Sequence, residues 1–450
     1  MTRAIAAIRN EAPGPVSFGE ALCFWVKLGF ISFGGPAGQI SSMHHELVEQ
    51  RRWISERRFL HALNYCMVLP GPEAQQLATY IGWLMHRSWG GIAAGALFVL
   101  PSLAILIGLS WIYMAFGQLP LVAGLFYGIK PAVTAIVVQA AHRIGARALR
   151  NWMLWAIAAA AFVAIFALDV PFPAIIALAA LIGAVGGRYA PDRFKLGGAH
   201  AGAGKSYGPA LIDDETPTPA HARFGWMRLT QVAIAGALLW LVPTALMAAW
   251  LGWSHTLTQM GWFFTKAALL TFGGAYAVLP YVNQGAVGQF HWITPTQMID
   301  GLGLGETTPG PLIMVVAFVG FAGAYRTAFL GADRLFLAGA AGACVATWFT
   351  FLPSFVFILA GGPLVERTHN DLKFTAPLTA ITAAVVGVVL NLALYFGYHV
   401  LWPGGLDGRF DLISALIALA AAVALLRYKA RVVPVIAACA AAGLLTIPIH

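Results

Sequence analysis

ISFGGPAGQ at positions 31–39 and LTFGGAYAV at 270–278 interrupt two apolar runs with the same Phe-Gly-Gly. VLPGPEA at 68–74 and TTPGPLI at 307–313 do so with the same Pro-Gly-Pro. A constant shift of 239 residues superposes both motifs without a gap and carries Phe24 onto Phe263, Lys27 onto Lys266 and Trp53-Ile54 onto Trp292-Ile293. Further along the shift is 252, pairing Leu100-Pro101-Ser102 with Leu352-Pro353-Ser354, Val133 with Val385 and Gln139 with Asn391; the second copy therefore carries a 13-residue insertion. Self-similarity on this scale in an apolar chain means two structural halves around a shared site.

The solvent of these halves is lipid. Of 450 residues 59% are hydrophobic and 10% charged, and the mean hydropathy is +0.76, outside the range of a soluble globular chain of this size. Apolar runs of about 17–25 residues recur from Gly91 onward, each long enough to cross a hydrocarbon core of roughly 30 Å as a helix. Lys and Arg outnumber Asp and Glu by 27 to 18, but they sit in short loops beside apolar runs, where they set orientation and do not bind nucleic acid. Cys23, Cys66, Cys344 and Cys439 stand singly in apolar segments, which indicates neither a disulfide framework nor a zinc site. No removable signal peptide is expected, because the first apolar run already carries Glu20 and Lys27.

The fold expected is an all-α integral membrane protein: an inverted-topology repeat with discontinuous, re-entrant helices and one extra linking transmembrane helix. Residues 1–187 form the first repeat unit and 251–450 the second. Between them, 188–228 has the low-hydrophobicity composition of a flexible tether, and 229–250 reads as one spanning helix without a first-half partner. A single crossing between two copies of an even-numbered unit inverts the second. Loop charge supports inversion: Arg51, Arg52, Arg57, Arg58 and Arg87, then His142, Arg143, Arg147 and Arg150, then Arg188, Arg193 and Lys195 collect on one side, which should be cytoplasmic together with the N-terminus and the linker. FHWITPTQ at 290–297, the counterpart of RRWISERR at 51–58, has no Lys or Arg and belongs outside. Arg326 and Arg334 run against the pattern. Spanning helices are predicted near 91–116, 121–141, 151–168 and 171–187, and near 335–360, 374–400, 410–427 and 432–448. Residues 17–50 and 58–87 are expected as re-entrant hairpins, since single crossings would place four arginines outside.

Broken backbone at membrane depth survives only where protein or a water-filled cavity supplies hydrogen-bond partners. Each break opens a new helix N-terminus: after Gly35, after Gly71 with Pro72, after Gly274, and after Gly310 with Pro311, proline suiting the first helical turn. Such an end carries unpaired N–H groups and about +0.5 of a charge, so several converging ends would hold a dianion without burying many full charges. Glycine also lets tetrahedral oxygens approach the backbone. Gly34, Gly35, Gly71, Pro72, Gly273, Gly274, Gly310 and Pro311 are therefore candidate binding positions; packing glycines and kinks are the plainer explanation, outweighed by duplication of both motifs in register. Lys27 and Lys266, each six residues before its break, would lend cationic charge to the anion or else snorkel to the nearer interface. Glu73 and Glu306, one beside each Pro-Gly-Pro, are candidates for a coupling proton, although Glu73 would also favour its own helix dipole. Asn64, Gln75, Gln76, Thr307 and Thr308 are candidate donors to oxyanion oxygens, or else bonds between helices. His44-His45-Glu46 departs from HExxH, so no metal is expected, and Trp53 and Trp292 suit an interfacial aromatic belt.

Phe-Gly-Gly at 33–35, Leu-Pro-Gly-Pro at 69–72, Phe-Gly-Gly-Ala at 272–275 and Thr-Pro-Gly-Pro at 308–311 together resemble the two-domain form of the chromate transporter (CHR) family, over nearly the whole chain apart from the linker. The resemblance implies a bacterial inner-membrane protein that expels chromate, with related halves in opposite orientation. It marks Gly34, Gly35, Pro70, Gly71, Pro72, Gly273, Gly274, Pro309, Gly310 and Pro311 as motif positions. The long linker and the second-half insertion depart from the pattern away from these positions. The activity expected is secondary transport of a tetrahedral oxyanion, chromate first and sulfate next because the two dianions share a shape. Protons are the expected coupling ion; no cofactor is called for, and the other expected partners are the lipid bilayer and a second copy in a homodimer. An anion channel built on the same half-helix dipoles is the alternative. A membrane-embedded enzyme is a third reading, without a Cys or metal cluster to support it. GAHAGAGKS at 198–206 departs from the P-loop spacing and follows no strand, so ATP-driven pumping is not expected.

Overall fold

The computed structural model describes residues 13–194, 207–217, 219–367 and 375–446. Sixteen α-helices run through them. The first half holds α1 (Phe18–Ile31), α2 (Gly35–His44), α3 (Glu56–Val68), α4 (Glu73–Phe116), α5 (Pro120–Ala148), α6 (Trp152–Ala167) and α7 (Phe172–Tyr189). The linking helix is α8 (Trp226–Leu251). The second half holds α9 (Thr256–Leu269), α10 (Leu279–Asn283), α11 (Pro295–Thr307), α12 (Val315–Thr327), α13 (Leu335–Arg367), α14 (Thr375–Leu401), α15 (Leu412–Leu426) and α16 (Val432–Leu445). Six of them are long and apolar enough to cross a membrane, and among the described residues the β-structure is one isolated bridge.

Ser17 opens α1 by accepting from the Glu20 N–H. The helix breaks where Gly34 and Gly35 take φ of +90° and +69°, a region in which side-chain-bearing residues are strained. The chain resumes as α2 and a π-helical turn over His45–Gln50, folding back on α1. Glu20 lies 3.7 Å from Arg51, and the Phe24 and Trp53 rings are 5.0 Å apart. Start and end of this unit are on one side: it is a hairpin, as expected, and not a crossing. The second half repeats it from α9 through the π-helical turn Gln284–Gln289, with Phe263 5.4 Å from Trp292. The closing bonds also repeat at the shift of 239. Arg51 and Trp53 donate to Glu46 O and Leu47 O (2.9 and 2.8 Å), as Phe290 and Trp292 do to Gly285 O and Ala286 O (2.8 and 2.8 Å). Arg52 and His291 are both left-handed, at φ +51° and +50°.

α3 and the first arm of α4 (73–85) form the second hairpin. Non-helical backbone at His86 and Arg87 reverses the chain, and the second arm (88–116) returns against the first. Contact is close: a Cβ on Gly82 would stand 2.4 Å from Gly90 O, and one on Gly90 2.2 Å from Gly82 O. Gly320 of α12 and Gly342 of α13 give the same two values. The 13-residue insertion therefore lengthens this reversal, which becomes the loop before the 3₁₀ turn Ala332–Arg334. Arg326 and Arg334, the two charges against the loop pattern, flank that loop, and Arg326 donates to Trp292 O at 3.3 Å.

The remaining helices alternate in direction. Tyr127 meets Asp411 at 2.8 Å at the end remote from the linker (the far side), and Phe194 packs with Leu154 and Ala380 at the linker side. A third shift, of 260, appears in the last helices: Val170 donates to Ala164 O and Ala430 to Ala424 O, both at 3.0 Å, next to left-handed Asp169 and Lys429. Each predicted span has an observed helix, although those predicted over 121–141 and 335–360 run on to Ala148 and Arg367, and α8 coincides with the expected linking helix.

The linker differs from the flexible tether its composition suggests. Its described part docks as a strap on the ends of the first-half hairpins. Leu211 and Ile212 donate to Arg52 O and Trp53 O (2.9 and 3.0 Å), and Ser55 N–H donates to Ile212 O (3.0 Å). Ser55 Oγ bonds Asp214 at 2.6 Å, Arg58 bonds Thr216 O, and the His221 ring bonds Trp83 O at 3.0 Å. Buried Ala210, Ile212 and Ala222 hold it down. The P-loop-like 198–206 falls outside the described residues, as do residues 1–12.

Candidate functional site

The four interruptions meet across the halves. Gly71 N–H donates to Thr271 O at 2.8 Å, and Gly310 N–H donates to Ser32 O at 2.7 Å. Gly71 and Gly310 are repeat mates, and so are Ser32 and Thr271, so each Pro-Gly-Pro of one half is bonded to the residue that precedes the Phe-Gly-Gly of the other. A second reciprocal contact lies on top of the first. A Cβ on Gly71 would stand 2.4 Å from Ser354 Oγ, and one on Gly310 2.7 Å from Ser102 Cβ. All four hydroxyl residues, Ser32, Thr271, Ser102 and Ser354, are buried.

All six motif glycines have φ between +69° and +128°. They differ in surroundings: Gly71 and Gly310 are enclosed, whereas a Cβ on Gly35 or Gly274 would meet nothing within 4 Å. Helices restart after each break as expected, although in the second half they begin as 3₁₀ turns at Ala275–Val278 and Leu312–Met314. Amides line the junctions. Gln39 donates to Gly310 O, Gln75 to Thr79 Oγ1 (2.9 Å) and Gln76 to Pro70 O (2.8 Å). The side-chain oxygen of each, and Ser102 Oγ, are buried without a hydrogen-bond partner. A half-turn of such an amide exchanges acceptor for donor, so these groups can meet an oxyanion with N–H.

The carboxylates flank this centre. Glu306, buried at the end of α11, accepts a hydrogen bond from Tyr276 just past the second Phe-Gly-Gly. Glu73, half-buried, opens α4 directly after Pro72. Each faces an arginine of α5: Arg143 acts on Glu306 and lies 6.0 Å over the Tyr276 ring, and Arg147 acts on Glu73. These two arginines, four residues apart and so on one helical face, are not the loop charges the sequence suggested.

A model of the chromate transporter family matches residues 19–184 and 258–444, the two halves without the linker and α8. The chain belongs to the chromate transporter family. It is similar to a chromate transport protein of Cupriavidus metallidurans, 28% identical over 435 residues that cover 96% of this chain and 93% of the relative. A chromate transport protein of Pseudomonas aeruginosa is 31% identical over 391 residues, 86% of this chain and 83% of the relative. A probable chromate transport protein of Synechococcus elongatus is 28% identical over 400 residues, 87% and 88% of the two chains. No solved structure matches.

Within this chromate-transporter-family chain, the other sequence candidates make contacts besides the two junction bonds, although Thr308 is buried only two residues before Gly310. Lys27 is largely exposed and pairs with Glu46 at 3.6 Å, bracing its own hairpin. Lys266 is half-buried with its ammonium 5.6 Å from the Trp262 ring centroid. Thr307 and Thr308 donate to carbonyls of their own helix, Gly303 O at 3.1 Å and Gly305 O at 3.2 Å, and Asn64 is exposed. Residues the sequence reading passed over include Ser32, Thr271, Gln39, Ser102, Ser354, Tyr276 and the charged pair Lys130 and Asp300. The signal for the last two was available, since an ionisable residue inside an apolar span is functional by default.

Proposed function

We propose that the chain is a secondary transporter that moves chromate out of the cytoplasm across the bacterial inner membrane, with the anion held where the interrupted segments of the two halves meet. The observation that carries this reading is the reciprocal pair of bonds, Gly71 N–H to Thr271 O and Gly310 N–H to Ser32 O. Together they tie every break in one half to a break in the other. A rocking motion of one half against the other about a pseudo-two-fold axis works on both junctions in mirror fashion, which is what alternating access needs. Chromate as the substrate rests on family membership and on relatives named as chromate transport proteins.

Electrostatics supports the direction. Loop charge assigns the linker side to the cytoplasm, and Arg147, exposed there, with Arg143 behind it, would gather a dianion from that side. Glu73 and Glu306 each face one of these arginines, so a proton on either carboxyl strengthens the local positive field and its loss weakens it. That exchange is a means of coupling anion movement to protons.

Purified protein in proteoliposomes tests the reading with tracer chromate. Flux is expected to saturate, to respond to an imposed pH gradient and to be inhibited by excess sulfate. Flux that rises linearly without saturation would identify a channel instead, and a protein that moves no tracer would overturn the substrate.

A further inference from the structure

α11 buries two carboxylates, and the transport reading uses only Glu306. Asp300 lies six residues earlier and is 2% exposed. Its Oδ2 accepts from the Tyr113 hydroxyl at 2.7 Å, and its Oδ1 is buried without a hydrogen-bond partner. Lys130 of α5, half-buried, acts on it through space. These two groups, from α4 and α5, are the titratable ones that face Asp300. α12, α14 and α16 also pack on α11, and among the described residues none of their side chains acts on it.

A lone acid and a lone base inside apolar helices are each costly to bury, and together they form a unit whose net charge depends on one proton. With Asp300 ionised, its charge offsets that of Lys130 through space. With a proton on Oδ1, Asp300 becomes neutral and the full positive charge of Lys130 is exposed to its surroundings. The repeat adds a position: the shift of 252 pairs Lys130 with Thr382, whose Oγ1 would stand 3.5 Å from a Cβ on Gly273. Lys130 thus holds, on α5, the register that borders a Phe-Gly-Gly break in the second half. Asp300 is mid-helix in α11, five residues from its start at the far side and seven from Thr307 at the other end, whereas Arg143 and Arg147 lie toward the linker side.

We propose that Asp300 is a proton-binding site serving the far side of the membrane, and that its protonation frees Lys130 to attract the oxyanion. The step is a proton transfer from far-side water to Oδ1. An O–H bond of hydronium breaks as the Oδ1–H bond forms, leaving water; Tyr113 goes on donating to Oδ2, and return of the proton to water reverses the step. This inference rests on the transporter reading above.

Asp300→Asn, reconstituted in proteoliposomes, separates coupling from carriage. With tracer chromate, net uptake driven by a pH gradient should fall at least tenfold. Tracer exchange at equal pH with chromate on both sides should stay within twofold of the parent. Gradient-driven uptake that persists in the variant overturns the proposal. Should the variant also lose exchange, Tyr113→Phe decides. Removing only the hydroxyl should move the pH midpoint of exchange by about half a unit or more, and a midpoint that stays put overturns the proposal. Failure of the transporter reading would look different, as a parent inert in both assays. Infrared difference spectra would then decide: a protonated-carboxyl carbonyl band that changes with pH in the parent and is missing from Asp300→Asn supports the site, and identical spectra overturn it.

Discussion

Alanine at Gly71 or Gly310 would be both crowded and strained, because its methyl would meet Ser354 or Ser102 and its backbone would have to hold φ of +128° or +110°. At Gly35, with φ +69° and open space beside it, alanine would be strained only. Strain of this kind costs about 1–3 kcal/mol, and overpacking about as much again. Melting in detergent should therefore rank the variants, with Gly71→Ala and Gly310→Ala losing about 2–5 kcal/mol and Gly35→Ala about 1–2 kcal/mol. Equal losses would show that enclosure of the Pro-Gly-Pro glycines contributes nothing. The need for glycine at these positions was legible in the sequence, since both motifs break apolar runs twice in register. Their serine neighbours were not. Ser102 and Ser354 were visible as repeat mates, but nothing local says which backbone a buried hydroxyl will face; that is decided by packing between segments far apart in the chain, Ser102 on Gly310 and Ser354 on Gly71.

At the scale of elements, helix edges followed from apolar run length, and the structure adds the caps Ser17, Asn151 and Asp411 that fix three of them. Composition misled at the linker, where glycines and prolines outnumber the few apolar residues that anchor the strap. Arg143 misled for a related reason: an arginine near the end of an apolar run reads as loop charge until the fold sets Tyr276 beneath it. The strap has its own pH dependence. Burial, and then the charges of Arg228 and Arg87, hold the His221 imidazole below its ordinary range, against the pull of its bond to Trp83 O. The folded strap thus favours neutral His221. Its contribution is complete above the ordinary histidine value of about 6.5 and is lost as pH falls through that value toward the depressed one. Limited proteolysis across the described strap should accelerate on acidification from pH 7.5 to about 5.5, and His221→Gln should flatten this dependence. A cleavage rate independent of pH in the parent would contradict the assignment.

Across the whole molecule, inversion arises from counting. The expected count of two hairpins, which return to their own side, and four crossings per half would leave the halves parallel without a crossing between them, and α8 is one of the six helices long and apolar enough to supply it. The hairpin closures and the two junctions recur at shifts of 239 and 252 and the last helices at 260, while the Gly82–Gly90 contact maps onto Gly320–Gly342 at 238 and 252. The shift of 260 stayed hidden because α6, α7, α15 and α16 are nearly featureless apolar runs, in which alignment has little to grip.

The central claim is that the reciprocal junctions of the two halves carry the anion. Tracer chromate flux through Gly71→Ala and Gly310→Ala tests it most directly, set against Gly19→Ala and Gly108→Ala, where a new methyl meets nothing within 4 Å. With all four variants monodisperse, the junction pair should transport at least tenfold more slowly and the control pair within twofold of the parent. Junction variants that transport at the parent's rate would contradict it.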